Sequence, residues 1–152
     1  MDRVGCAGRR CLVCPGRGGL RAGCTPEAMT GPPTTIAEIA ADFTGMWLAG
    51  HFHAAGEKYW ADDVVSIEPR VLPNGTAAVC QGIEAVRAKY QQLLATHGIE
   101  DLSLDGPFVT GNHFALFVDM LVVHGGRRRP CSEIVVFTVR DSKIVEERYF
   151  HD

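Results

Sequence analysis

The stretch "EIVVFTVRDSKIVEERYF", Glu133–Phe150, constrains the fold of this chain more than any other. Two runs rich in β-branched and aromatic residues flank "RDSK", a connection tight enough for a hairpin. It closes a series of strands expected at Glu100–Leu104 with Phe108–Val109, at Phe114–Val123, at Cys131–Arg140 and at Lys143–Phe150. The segment "HGGRRRP" reads as the other connecting turn, with Arg127, Arg128 and Arg129 in a solvated loop able to guide an anionic ligand.

The first half is mostly helical. Ile36, Ile39, Ala40, Phe43 and Trp47 form one apolar stripe over Thr35–Ala49, with Thr34 or Thr35 as cap and Glu38 as capping-box partner. Gly50 interrupts, and His51–Trp60 offers Phe52, Ala55 and Tyr59 on one side of a second helix. "DDVVSIEP" turns to β-branched residues and predicts a strand from Val64 to Glu68, stopped by Pro69. The Asn-Gly pair in "LPNGT" marks a turn, and a short strand at Ala77–Cys80 follows. Ile83, Val86, Tyr90, Leu93, Leu94 and His97 mark a third helix, with Gly98 as a left-handed C-cap. Helices interleaved with two short strands, then longer strands, predict an α+β fold: an antiparallel sheet carrying the helices on one face.

Residues 1–28 differ in composition from the rest. They hold Cys6, Cys11, Cys14 and Cys24 and five arginines against Asp2 and Glu27, so the remainder is more acidic than the chain's formal net charge of −3. One Cys-x-x-Cys pair without a second knuckle argues against zinc, and "CLVCP" is too short for the apolar core of an export signal. Residues 1–33 are therefore read as a disordered leader, with Met29 as an alternative start, ahead of a single domain over 34–152. An acidic domain without a basic stripe argues against nucleic acid, and no apolar run approaches the roughly 20 residues that cross a bilayer. Only Cys80 and Cys131 fall in the domain, which suits a reducing cytoplasm.

From about Thr35 to Asp152 the chain resembles SnoaL-like domains of the nuclear transport factor 2-like superfamily. "YWADDVVSIEP", "QGIEAVRAKY", "LDGPFVTGNHFALF" and the closing hairpin carry the resemblance. It implies a cone-shaped, curved sheet wrapped around the helices, an apolar pocket open at one end, and dimers through the convex sheet face. Members include polyketide cyclases, ketosteroid isomerases and epoxide hydrolases alongside non-catalytic domains, so the site has to be argued separately. The enzymes generally use one or two acids in a dry cavity and no cofactor. An apolar surround disfavours carboxylate and brings it toward neutral pKa.

Four residues are candidates for that chemistry. Glu68 ends "VVSIE", facing either the pocket mouth or solvent. Asp119 interrupts the apolar run "FALFVDMLVV" on the face of Ala115, Phe117 and Leu121, where an acid needs a purpose or an outer-face partner. Glu133 shares strand parity with Val135, Phe137 and Val139 and resembles the acid at this position in SnoaL-like relatives; the alternative is a strand-edge charge. His97 closes the third helix, where it complements the helix dipole or acts as a proton relay. Tyr59, Trp60, Tyr90, Trp47 and Phe117 are candidate pocket-lining residues, against the alternative that they are ordinary core.

Other chemistries find little support. No Gly-rich phosphate loop follows a strand, and no metal-ligand spacing occurs in the domain. His51 and His53 fall about 200° apart on a helix. The reading that emerges is a cofactor-independent isomerase, cyclase or hydrolase for a small apolar or polyketide-like molecule. Its rival is a ligand-binding or dimerisation module of the same fold.

Overall fold

The computed structural model describes residues 35–152, and the leader, its cysteines and Met29 lie outside the described residues. Helix α1 spans Ile36–Leu48. Thr35 caps it, its hydroxyl accepting from the Glu38 amide while the Glu38 carboxylate accepts from the Thr35 backbone. Helix α2 covers Phe52–Tyr59 and leads without a loop into β1, Trp60–Ile67. Then come β2, Val79–Gln81; α3, Ile83–Thr96; β3, Gly98–Thr110; β4, His113–His124; β5, Arg127–Arg140; and β6, Lys143–Phe150.

The six strands form one mixed, open sheet in the order β2-β1-β6-β5-β4-β3. Every neighbouring pair is antiparallel except β1 with β6, which run parallel and join the two ends of the domain. The β5–β6 turn places Asp141 and Ser142 at φ 52° and 61°, the positive pair a tight hairpin requires. Strand β3 is continuous where the sequence suggests two pieces. Register shifts between Glu100 and Ser103, and between Asp105 and Phe108, bend it instead of breaking it.

Other boundaries also differ from expectation. The chain enters β1 at Trp60, four residues before the β-branched run, because the parallel partner β6 supplies backbone bonds that local propensity does not anticipate. Gly98 is not a left-handed cap: His97 is already extended (φ −126°, ψ 129°), and Gly98 opens β3. Arg127–Arg129 are not in a loop either. The turn is only Gly125–Gly126, both with positive φ, and the arginines begin β5.

Helix α1 packs on β3 and β4 while α3 packs on β1 and β2. Phe43 meets Phe114 and Phe137 edge-on at 5.7 and 4.8 Å between ring centroids, with Ile39, Leu116, Val135 and Ile144 fully buried around them. The inward set Phe114, Leu116, Val118 settles the parity of β4: even-numbered residues face the helices and odd-numbered ones the opposite, convex surface.

Candidate functional site

Between the helices and the concave face of the sheet lies a cavity of about 600 Å³. Its walls are largely apolar, with Trp47, Phe52, Leu93, Val118 and Met120 among them. Its buried end is polar: Glu68, Lys89, Tyr90, Glu133, Tyr149 and His151 all line it.

The parallel β1–β6 pair assembles this end. It sets Ser66 beside Glu147 in register, and Glu68 follows directly after β1, its amide donating to the Ala78 carbonyl at 2.7 Å. Lys89, on the face of α3 that also presents Val86 and Tyr90, is only 2% exposed. Its Nζ lies 2.5 Å from Glu68 Oε1 and donates to the Ser66 hydroxyl at 2.7 Å. His151 Nε2 approaches the other Glu68 oxygen at 3.0 Å. Each oxygen of the buried Glu68 carboxylate thus has a close basic partner.

Glu133 has no hydrogen-bond or ion-pair partner among the described residues. Half-buried on β5, its carboxyl is pushed up to about 7, chiefly by burial and then by the charge of Glu68, with His151 and Lys89 opposing. Behind the cavity a third acid, Glu147, is wholly buried. It accepts from Trp60 Nε1 at 3.1 Å and from the Tyr90 hydroxyl at 3.3 Å, and burial raises its carboxyl above the ordinary range. The Tyr90 and Tyr149 hydroxyls sit 2.5 Å apart, and burial followed by the nearby Glu147 charge holds both well above the usual phenol range. They are therefore neutral hydrogen-bonding groups. Lys89 has three N–H donors, of which Glu68 and Ser66 use two.

The candidate residues read from the sequence separate into three groups. Glu68, Glu133, Tyr90, Trp47 and His97 line the cavity. His97 is at its outer part, its Nδ1 2.7 Å from the Thr96 hydroxyl and 3.3 Å from the Leu93 carbonyl, and its ring stacks on His124. Asp119 and Phe117 are on the wrong face: Asp119 pairs in register with Ser132 and accepts from its hydroxyl on the convex surface. The apolar flanks that make Asp119 conspicuous belong to a strand whose inward positions are the even ones. Tyr59 and Trp60 sit in the core instead of on the cavity wall. Tyr59 packs against Phe43 and donates to Asp42 at 2.6 Å, while Trp60 stacks edge-on against Tyr90 from behind.

Sequence reasoning misses Lys89, Glu147, Tyr149 and His151. Lys89 carries a signal, since it stands three residues after Val86 and one before Tyr90, so a lysine falls on the buried stripe of α3. Glu147 shares parity with Tyr149, but the register shift at Thr138–Val139 opposite resets the alternation from Ile144 onward and hides it.

A curved mixed sheet wrapped over three helices around an apolar cavity with acids at its buried end defines a cone-shaped α+β pocket protein. Residues 34–151 match the model of the SnoaL-like domain, and the chain belongs to that family. A candidate SnoaL-like polyketide cyclase from Mesorhizobium loti is similar in structure with a TM-score of 0.71 and 40% identity, over 77% of this chain and 99% of that one. A nuclear transport factor 2-like protein of unknown function from Burkholderia pseudomallei shares the fold at a TM-score of 0.66 and 15% identity, over 76% and 89% of the two chains. So does a Catenulispora acidiphila protein with a ketosteroid isomerase-like fold, solved with trimethylamine, at 0.56 and 16%, over 76% and 86%. No protein of curated function matches the sequence. Among the described residues no group of three or more His, Cys, Asp or Glu is disposed to hold a metal ion, and no helix is long and apolar enough to cross a membrane.

Proposed function

We propose that this protein is a cofactor-independent enzyme that moves protons on a small, largely apolar carbonyl compound, as an isomerase or cyclase of polyketide-like molecules. The observation that carries the reading is Glu133, a carboxyl brought to about 7 on the wall of an apolar cavity. A base poised near working pH is effective in general acid–base catalysis. Glu133 takes a proton from the carbon beside the carbonyl, the electron pair moves onto the carbonyl oxygen, and the third Lys89 N–H donates to that developing oxyanion. Return of the proton at another position isomerises the substrate; attack of the enolate carbon on a second carbonyl closes a ring, and the protonated Glu133 then gives its proton to the alkoxide so formed. Glu68 supports Lys89 and raises Glu133 and is not itself the base, because Lys89 and His151 occupy both its oxygens. The likeness to a candidate polyketide cyclase supports this substrate class.

Turnover of a panel of cyclisable poly-β-ketones and β,γ-unsaturated ketones tests the reading. Glu133→Gln should fold normally and lose activity, whereas Asp119→Asn on the convex face should keep it. Full turnover by Glu133→Gln would sink the proposal. One observation favours the rival role of a binding module: the hydrogen bonds of Glu68, Tyr90 and Tyr149 are already satisfied internally. In that case no ketone is converted and Glu133→Gln changes only ligand affinity.

The same reading includes a homodimer working in the cytoplasm. Phe108, Ile134 and Phe150 are 61, 46 and 49% exposed on the convex face, a contiguous apolar surface suited to a second copy. Free Cys80 and Cys131 suit a reducing compartment. Sedimentation of wild type against Ile134→Glu reads the association directly.

A further inference from the structure

The run Arg127-Arg128-Arg129 is divided by strand alternation. Arg128 turns outward and its Nε donates to Glu100 at 2.8 Å on the convex face. Arg127 and Arg129 share the face of Cys131 and Glu133 and line the cavity. Among the described residues neither has a carboxylate within ion-pair distance, although the chain as a whole is net acidic. Arg70, arriving from beyond β1, lines the same cavity and is likewise without an ion pair among the described residues. His124, the register partner of Arg127, stacks its ring on His97 at 4.6 Å. The exposed lining of the cavity therefore carries Arg70, Arg127 and Arg129 against one exposed acid, Asp152. Between it and Glu133 the neighbouring strand presents Val122, Met120 and Val118, each opposite Arg129, Cys131 and Glu133 in turn. Along an extended strand the four steps from Arg129 to Glu133 span roughly 13 Å.

We propose that Arg127 and Arg129 form a subsite for an oxyanion group, carboxylate or phosphate, at one end of an elongated amphipathic ligand whose apolar body fills the cavity. The inference rests on the reading of the cavity as the site, with the opposite end of the ligand reaching Glu133. A guanidinium presents a planar fork of N–H donors that matches carboxylate and phosphate, and two such forks on one strand face can share a single anion. Their exposure also lets them draw an anionic ligand toward the opening before it is desolvated. The outward Arg128 has a carboxylate partner from the protein itself; the two facing the cavity leave theirs to be supplied by a ligand.

Two fluorescent probes isolate the charge. 8-Anilinonaphthalene-1-sulfonate and N-phenyl-1-naphthylamine share one skeleton and differ by the sulfonate. The wild type should bind the sulfonate more tightly. The double variant Arg127→Gln/Arg129→Gln should weaken it by about tenfold or more while leaving the neutral probe within about twofold. Arg128→Gln, on the convex face, should change neither. Dodecanoate or dodecyl phosphate should displace the sulfonate from wild type and much less from the double variant, with dodecanol as the neutral control; the stronger competitor identifies the source of the anion. Equal affinity of the two probes, equal losses for both in the double variant, or no loss, overturns the subsite. If neither probe binds wild type, the cavity reading falls and takes the subsite with it. If the charge dependence holds but Glu133→Gln keeps turnover, only the catalytic reading fails.

Discussion

Glu68 and Glu133 line one cavity from different parts of the sheet, and the charge of the first helps keep the proton on the second. Burial of Glu133 is the larger cause and is unaffected by changing its neighbour. Glu68→Gln should therefore lower the Glu133 midpoint from about 7 without restoring the usual carboxylate range. Loss of Glu68 also frees the Lys89 charge, which acts in the same direction. Carbon-13 NMR of the glutamate side-chain carboxyls reads the midpoint, and an unchanged or higher value would contradict the coupling.

Stability should depend on pH through the same carboxyl. Its folded value is raised from 4.5 to about 7, so the folded state favours the protonated form more than the unfolded chain does. The stabilisation is complete below pH 4.5, is lost as pH rises through 7, and amounts to about 3 kcal/mol. Glu133→Gln cannot titrate. Urea denaturation at a series of pH values should show a shallower decline for the variant, with a residual slope from Glu147, whose carboxyl is also raised. Parallel curves for variant and wild type would rule out this titration.

Lys89 joins α3 to β1 through Glu68 and Ser66. Lys89→Met leaves a buried carboxylate with His151 as its remaining close partner, at an expected cost of about 3–5 kcal/mol. The double variant Lys89→Met/Glu68→Leu removes the stranded charge and should recover much of that loss. Denaturation midpoints of the three proteins form the comparison. A double variant as unstable as the single one would mean that the lysine acts by packing, through its contact with the Tyr149 ring at 4.1 Å, more than by its charge.

The fold is readable from the sequence because local signals agree with one another. The Thr35–Glu38 box, the Asp141-Ser142 turn and the alternation of Val135, Phe137 and Val139 each specify their element without outside help. Cavity residues are legible where one element keeps its own period, as Glu133 does on β5 and as Trp47 and Tyr90 do on α1 and α3. The face of Asp119 cannot be chosen from the sequence, since both faces of β4 are apolar, one for the core and one for the convex surface. Glu147 and His151 depend on the β1–β6 parallel pairing and on a register shift. Those are relations between distant segments that periodicity within one segment does not contain.

Gly56 ties α2 to the acids. A Cβ at this position would overlap Trp60 Cζ2 and two further atoms of the indole. Trp60 is 2% exposed, fixed against Tyr90 at 4.9 Å and bound through Nε1 to Glu147, so the ring has no free direction in which to yield. Alanine ordinarily favours a helix over glycine by about 1 kcal/mol. Overpacking and a disturbed bond to a buried carboxylate outweigh that, and Gly56→Ala should destabilise by about 2–4 kcal/mol. Gly45 in α1 is the control: a methyl group there would meet nothing within 4 Å, so Gly45→Ala should stabilise by up to about 1 kcal/mol. Thermal melts followed by tryptophan fluorescence separate the two substitutions. A Gly56→Ala protein as stable as wild type would show that the indole can shift, and that Trp60 does not hold Glu147 where the cavity needs it.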